Sequence, residues 1–96
     1  EIAIVREDSD TKGRYVATIA GVEGAAEMTF SKASPTLIIV DHTGVPDSMR
    51  GMGAAGALAR RVIDDARAAG QRIIPLCPFL SSYVARHKDE TRDVIS

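Results

Sequence analysis

The sequence predicts a fold of the α/β class with α+β character: a mostly antiparallel sheet of about five strands, one parallel β-α-β crossover, and a short C-terminal helix. Three observations predict it. The first third of the chain consists of short β-prone runs separated by glycine-bearing turns. Two other strand candidates, the continuous apolar run Leu37–Val40 and the segment Arg72–Leu76 of similar buried character, lie further on. Between them sits one long segment whose small and apolar residues recur at helical spacing.

Ile2-Ala3-Ile4-Val5 is the first strand candidate, and Asp8-Ser9-Asp10-Thr11-Lys12-Gly13 carries the polar residues and the glycine of a turn. A hairpin into Arg14–Ala20 follows. There Tyr15, Ala17 and Ile19 alternate with Arg14, Val16 and Thr18. After Gly21, the segment Glu23–Ser31 sets Ala26, Met28 and Phe30 against Ala25, Glu27 and Thr29, so both runs read as half-buried antiparallel strands. Leu37-Ile38-Ile39-Val40, after Ser34-Pro35, has no alternation and is expected to be central and buried on both faces.

The helical segment places Ala55, Leu58, Ala59, Val62, Ala66 and Ala69 on one side and Arg60, Arg61, Asp64, Asp65 and Arg67 on the other. Arg60 with Asp64 and Arg61 with Asp65 stand at i,i+4, and Gly70 is the expected C-terminal stop. A strand, helix, strand order implies a right-handed parallel crossover joining Leu37–His42 to Arg72–Leu76. The last helix is expected over about Phe79 to His87.

Ninety-six residues support one core, so a single domain over residues 1–96 is the expectation. A formal net charge of −1 gives no electrostatic reason to expect a nucleic acid or an anionic membrane as partner, although Arg50, Arg60 and Arg61 can create local positive potential. One cysteine forms no internal disulfide and no metal-type Cys/His spacing is present, so no metal is expected and a reducing, cytoplasmic setting is. No apolar run reaches the length of a membrane span.

Chemistry concentrates in the glycine-rich stretch from Val45 to Gly56, which leads into the helical segment. Small residues there let the backbone approach a ligand, and the unpaired N–H groups of a helix start favour an anion such as a phosphate. No Gly-Lys-Ser/Thr closes the run, so it is not a P-loop. Gly51-Met52-Gly53-Ala54-Ala55-Gly56 satisfies the dinucleotide string Gly-x-Gly-x-x-Gly, but Pro46 to Met49 separate it from the preceding strand. The acidic residue expected about 20 positions on, at the end of a second strand, is missing too.

Read from Arg50, the same stretch gives Arg-x-x-Gly-x-Ala, similar to the pyrophosphate-binding motif of GNAT-superfamily acetyltransferases. In the longer frame, His42-Thr43-Gly44-Val45-Pro46, Arg50-Gly51-Met52-Gly53, Ile74-Pro75-Leu76-Cys77, Tyr83 and His87 follow in order. Over roughly residues 14 to 95 the chain resembles the small stand-alone GNAT-like acetyltransferase group. The resemblance implies a minimal GNAT-like domain in which the two parallel strands splay apart and acetyl-CoA, as cosubstrate, lies in the gap. Thr43, Gly44, Val45, Arg50, Gly51, Met52, Gly53, Ala54 and Ala55 would then form the cofactor site.

Acyl transfer needs a neutral amine, a polarised thioester carbonyl and a donor for the departing thiolate. The resemblance suggests Tyr83 as that donor, His42 as general base or orienting group, and Cys77 as a residue near the thioester, either an acyl-accepting thiolate or an inert buried thiol. His87 reads as the cap of the last helix. Members of the group often carry Glu where this chain has Gly44. The chain also lacks the extra helices and final strands of longer GNAT domains. An open acceptor site follows, suited to a primary amine on a protein or a polyamine, or to a homodimer whose second subunit completes the wall. Direct attack of the amine in a ternary complex is the default mechanism. A non-enzymatic acyl-CoA-binding or sensing module and an unrelated nucleotide-binding α/β domain are the alternatives.

Overall fold

Five strands form one sheet in the order β1-β2-β3-β4-β5: Ile2–Asp8, Lys12–Ile19, Ala26–Ser34, Leu37–Gly44 and Arg72–Pro75. The computed structural model describes residues 1–96. The first four strands are antiparallel to their neighbours, and β4 pairs with β5 in parallel from Leu37↔Arg72 to Val40↔Pro75. Helix α1, Ala54–Ala69, makes the crossover; α2, Pro78–Arg86, and the short α3, Lys88–Thr91, follow β5. The expected α+β architecture is the observed one.

Alternation in the sequence decides which face is dry. Tyr15, Ala17, Ala26, Met28, Phe30, Ile38, Val40 and Ile73 point to the side covered by the helices and are buried there with Leu58, Ala59, Val62, Ala66 and Leu80. Burying one such Leu or Val side chain stabilises the fold by about 1.5–3 kcal/mol. The opposite sheet face carries Arg14, Val16, Glu27, Thr29, Ile39 and Asp41 and has no helix on it. That corrects the expectation for Leu37–Val40: Ile38 and Val40 are buried, but Leu37 and Ile39 are only half-buried, because helices cover one face of the sheet.

Several boundaries differ from expectation. β1 runs on to Asp8 because β2 pairs with it as far as Asp8↔Gly13. β3 begins at Ala26, since Glu23 instead accepts a hydrogen bond on its carbonyl from the Ser48 hydroxyl at 2.6 Å. Gly70 does end α1, with φ 69° and its N–H on the Ala66 and Arg67 carbonyls. After α3 the chain returns to the sheet, where Val94 is buried and Ile95 bridges Ile73 in parallel.

Helix α1 is pinned to the hairpin by a cluster the sequence spacing only half disclosed. Asp65 accepts from the Tyr15 hydroxyl at 2.8 Å, from Arg61 Nε at 3.1 Å and from Arg6 Nη1 at 3.3 Å. Burial raises the Tyr15 phenol, and its bond to Asp65 adds to the rise. Burial works to raise Asp65 as well, but the hydrogen bonds from Tyr15, Arg61 and Arg6 outweigh it and hold the carboxyl below its ordinary value. Of the two expected i,i+4 pairs, Arg61–Asp65 forms, whereas Asp64 is turned to Arg67 at 3.5 Å and not to Arg60.

Candidate functional site where the parallel strands part

The pairing of β4 with β5 stops at Val40, whose carbonyl accepts from both Leu76 N–H at 3.0 Å and Cys77 N–H at 3.1 Å. Beyond that point β4 runs on alone to Gly44, bonded only to β3. The strands therefore part, as the resemblance implies. A cavity of about 410 Å³ opens there on the helix face, lined by Thr43, Val45, Met49, Arg50, Gly51, Gly53, Ala54, Ala55, Gly56 and Phe79.

Its floor is the glycine turn. After a single 3-10 turn at Asp47–Met49, Gly51 and Gly53 take φ values of 74° and 84°, a left-handed conformation that costs other residues energy. Alternating handedness of this kind curls successive N–H groups toward one side, a concavity suited to anions. The N–H groups of Gly51, Gly53, Ala54, Ala55 and Gly56 find no acceptor within the protein, whereas Met52 N–H is turned to Met49 O at 3.3 Å. A Cβ added at Gly51 or Gly53 would meet nothing within 4 Å, so the turn faces open space. Arg50 stands at the rim, 75% exposed and paired with Asp47 at 2.9 Å.

Helix α2 starts at the same cavity. Pro78 occupies its first turn, where a missing N–H costs nothing, and Cys77 is the N-cap, its Sγ accepting from Leu80 N–H at 3.3 Å. Cys77 is buried, and its sulfur lies 3.2 Å from Thr43 Oγ1, which bridges the parted strands.

A β-bulge in β4 decides which residues face this cavity. Phe30 pairs with Val40 but Thr29 pairs with His42, so Asp41 is an extra residue and the facing reverses after it. Asp41 and His42 both lie on the open face, the former accepting from Thr29 and Ser31 hydroxyls at 2.5 and 3.0 Å. Thr43 is thereby turned in toward Cys77. His42 is exposed, and Gly44 shares its face of the sheet.

The chain matches the family model of the GCN5-related N-acetyltransferases over residues 14–94. It belongs to that family. Among solved structures it is similar to the NMR solution structure of a GCN5-like protein from Staphylococcus aureus, with 26% identity over 96% of this chain and 87% of the other and a TM-score of 0.67. No curated protein matches it.

Within this N-acetyltransferase frame, Thr43, Val45, Arg50, Gly51, Gly53, Ala54 and Ala55 come together around one cavity, with Cys77 behind Thr43. Gly44 and His42 lie on the opposite face, and Met52 is exposed and points its N–H back into the turn. Tyr83 is not at the cavity. It stacks on His87 with ring centroids 4.1 Å apart, and lines a smaller space of about 190 Å³ with Arg60, Ile63 and Thr91. His87 caps α2 as expected, its N–H on Val84 O. The aromatic residue at the cavity is Phe79, one helical turn earlier, which sequence reading missed although Pro78 signalled a helix start directly before it.

Proposed function

We propose that this N-acetyltransferase-family chain binds acetyl-CoA with its pyrophosphate on the turn from Arg50 to Ala55 and transfers the acetyl group to a primary amine. The observation that carries this reading is the row of five backbone N–H groups, Gly51, Gly53, Ala54, Ala55 and Gly56, left without protein acceptors around one cavity at the head of a 16-residue helix. Diphosphate oxygens satisfy such donors, and the helix dipole adds to the attraction. Arg50 has only an exposed partner in Asp47, so its guanidinium is available for a charge-assisted contact.

Transfer follows from the parting of the strands. Beyond Val40 the β5 side of β4 has no neighbouring strand, so its backbone groups can orient the thioester carbonyl while the acceptor enters from the open face. In this mechanism the amine attacks directly in a ternary complex: the N–C bond forms and the thioester C–S bond breaks. The incoming ammonium gives one proton to His42 and through it to water. The second nitrogen proton leaves with the sulfur, and Thr43 presents a hydroxyl to the departing thiolate. Cys77 lies behind Thr43 as the helix cap and is not needed in the sequence of steps.

The test is incubation with acetyl-CoA and a panel of primary amines, following free CoA thiol and acetylated product by mass spectrometry. Amine-dependent thiol release supports transfer. Acetyl-CoA binding with no release for any amine would make the chain a CoA-binding module instead.

A further inference from the structure

We infer that Glu27 is the carboxylate that receives the acceptor's ammonium group, taking from the neighbouring strand the place that Gly44 leaves without a side chain. The inference rests on the acetyl-transfer reading above and concerns its acceptor side. Glu27 and Gly44 are direct register partners between β3 and β4, and Thr29 and His42 are the next pair on the same face. Side chains in such pairs start about 5 Å apart. A Cβ placed on Gly44 would stand 3.2 Å from His42 Nε2, so any group over Gly44 lies against the imidazole. Gly44 supplies none, and its register partner on that face is Glu27.

A cavity of about 420 Å³ lies at this spot on the open face, lined by Arg14, Val16, Ala25, Glu27, Gly44, Val45 and Pro46. Val45 also lines the cavity on the helix face. The two spaces thus share Val45 just beyond the end of β4. An acetyl group held on one side and an amine held on the other approach each other there. Arg14 Nη1 holds Glu27 Oε1 at 3.2 Å from the far side, and Arg14 Nε is itself taken by Glu7 at 2.7 Å. The second carboxylate oxygen of Glu27 has no protein donor. A primary ammonium on a flexible chain, with three donors and one positive charge, fits an anchored carboxylate with one free oxygen.

The experiment compares wild type, Glu27→Gln and Glu27→Gln/Gly44→Glu, with spermidine and a lysine-containing peptide as separate acceptors. Acetyl-CoA affinity is measured by calorimetry in each variant, and amine binding by NMR titration of the acetyl-CoA-loaded protein. Spermidine or peptide should shift the Gly44 amide resonance. Glu27→Gln should keep acetyl-CoA affinity and raise the acceptor KM at least tenfold, and Gly44→Glu should restore most of it. Whichever acceptor shows the effect identifies the source of the amine. An unchanged KM in Glu27→Gln, no rescue by Gly44→Glu, or no amine-induced shift in a protein that binds acetyl-CoA overturns the role of Glu27. Failure of the wild type to bind acetyl-CoA overturns the reading beneath it.

Discussion

Replacing Gly53 separates the fold of the turn from its proposed use. Gly53 is the N-cap of α1 at φ 84°, and a Cβ there meets nothing within 4 Å. Alanine therefore brings backbone strain without a clash, a cost of about 1–2 kcal/mol. For a chain of this size that lowers the melting temperature by roughly 5–15 °C. Aspartate adds a charge. At about 5 Å from one phosphate charge, a carboxylate costs about 1 kcal/mol at the dielectric constant of water and about 3 kcal/mol at an effective value of about 20. Since about 1.4 kcal/mol is tenfold in affinity, Gly53→Asp should weaken acetyl-CoA by about fivefold to about a hundredfold beyond the effect of Gly53→Ala. The assay is calorimetric titration of both variants below their melting temperatures. Equal affinities for Gly53→Asp and wild type, in folded protein, would refute a pyrophosphate at this turn.

Asp65→Asn should cost about 1–3 kcal/mol, because the bonds from Tyr15, Arg61 and Arg6 lose their charged acceptor; a melting temperature within 2 °C of wild type, about the error of the measurement, would show the cluster to be incidental. Acid should unfold the protein through the same region. The Arg6 guanidinium bonded to Asp8 holds that carboxyl down to about 2, and Asp65 is also held below its ordinary value. Carboxyls lower in the folded than in the unfolded state contribute stability above the unfolded value of about 4 and lose it as pH falls toward the folded value. Melting temperature should therefore drop between about pH 4 and about pH 2, less steeply in an Asp8→Asn/Asp65→Asn variant; parallel curves would contradict the assignment. Cys77→Ser should keep the cap on Leu80 and retain transfer, while Cys77→Ala should retain transfer with about 1 kcal/mol less stability. An acetyl adduct on Cys77 before amine is added, with activity lost in both variants, would replace direct attack by a covalent route.

The elements were legible in the sequence wherever one periodicity ran unbroken. Tyr15, Ala17 and Ile19 alternate because one face of β2 is dry, and Leu58, Ala59, Val62 and Ala66 recur because α1 lies on that face. The glycine turn was legible too, since only glycine takes the φ values at 51 and 53 without cost. The bulge at Asp41 was not. Val40-Asp41-His42 reads as a strand running out into polar residues, and nothing local says that two consecutive side chains share a face. The facing of every residue beyond it in β4 depends on that shift, including the turning of Thr43 toward Cys77 and the pairing of Glu27 with Gly44 on the open face. That Phe79 and not Tyr83 lines the cavity was hidden for a related reason. Sequence spacing puts Tyr83 on the same helix as Phe79, but which of the two reaches the cavity depends on how α2 leaves Cys77. The tail from Lys88 is too polar and short to announce itself, although Val94 and Ile95 close the sheet edge beside Ile73.

Calorimetric titration of the purified chain with acetyl-CoA, with ATP and NAD as controls, tests the central claim most directly. If the turn takes the pyrophosphate and the gap between the parted strands takes the pantetheine arm, which ATP and NAD lack, acetyl-CoA should bind at micromolar or tighter affinity and either control at least tenfold more weakly, a margin of about 1.4 kcal/mol. No heat with acetyl-CoA in folded protein, or equal affinity for ATP or NAD, would contradict it.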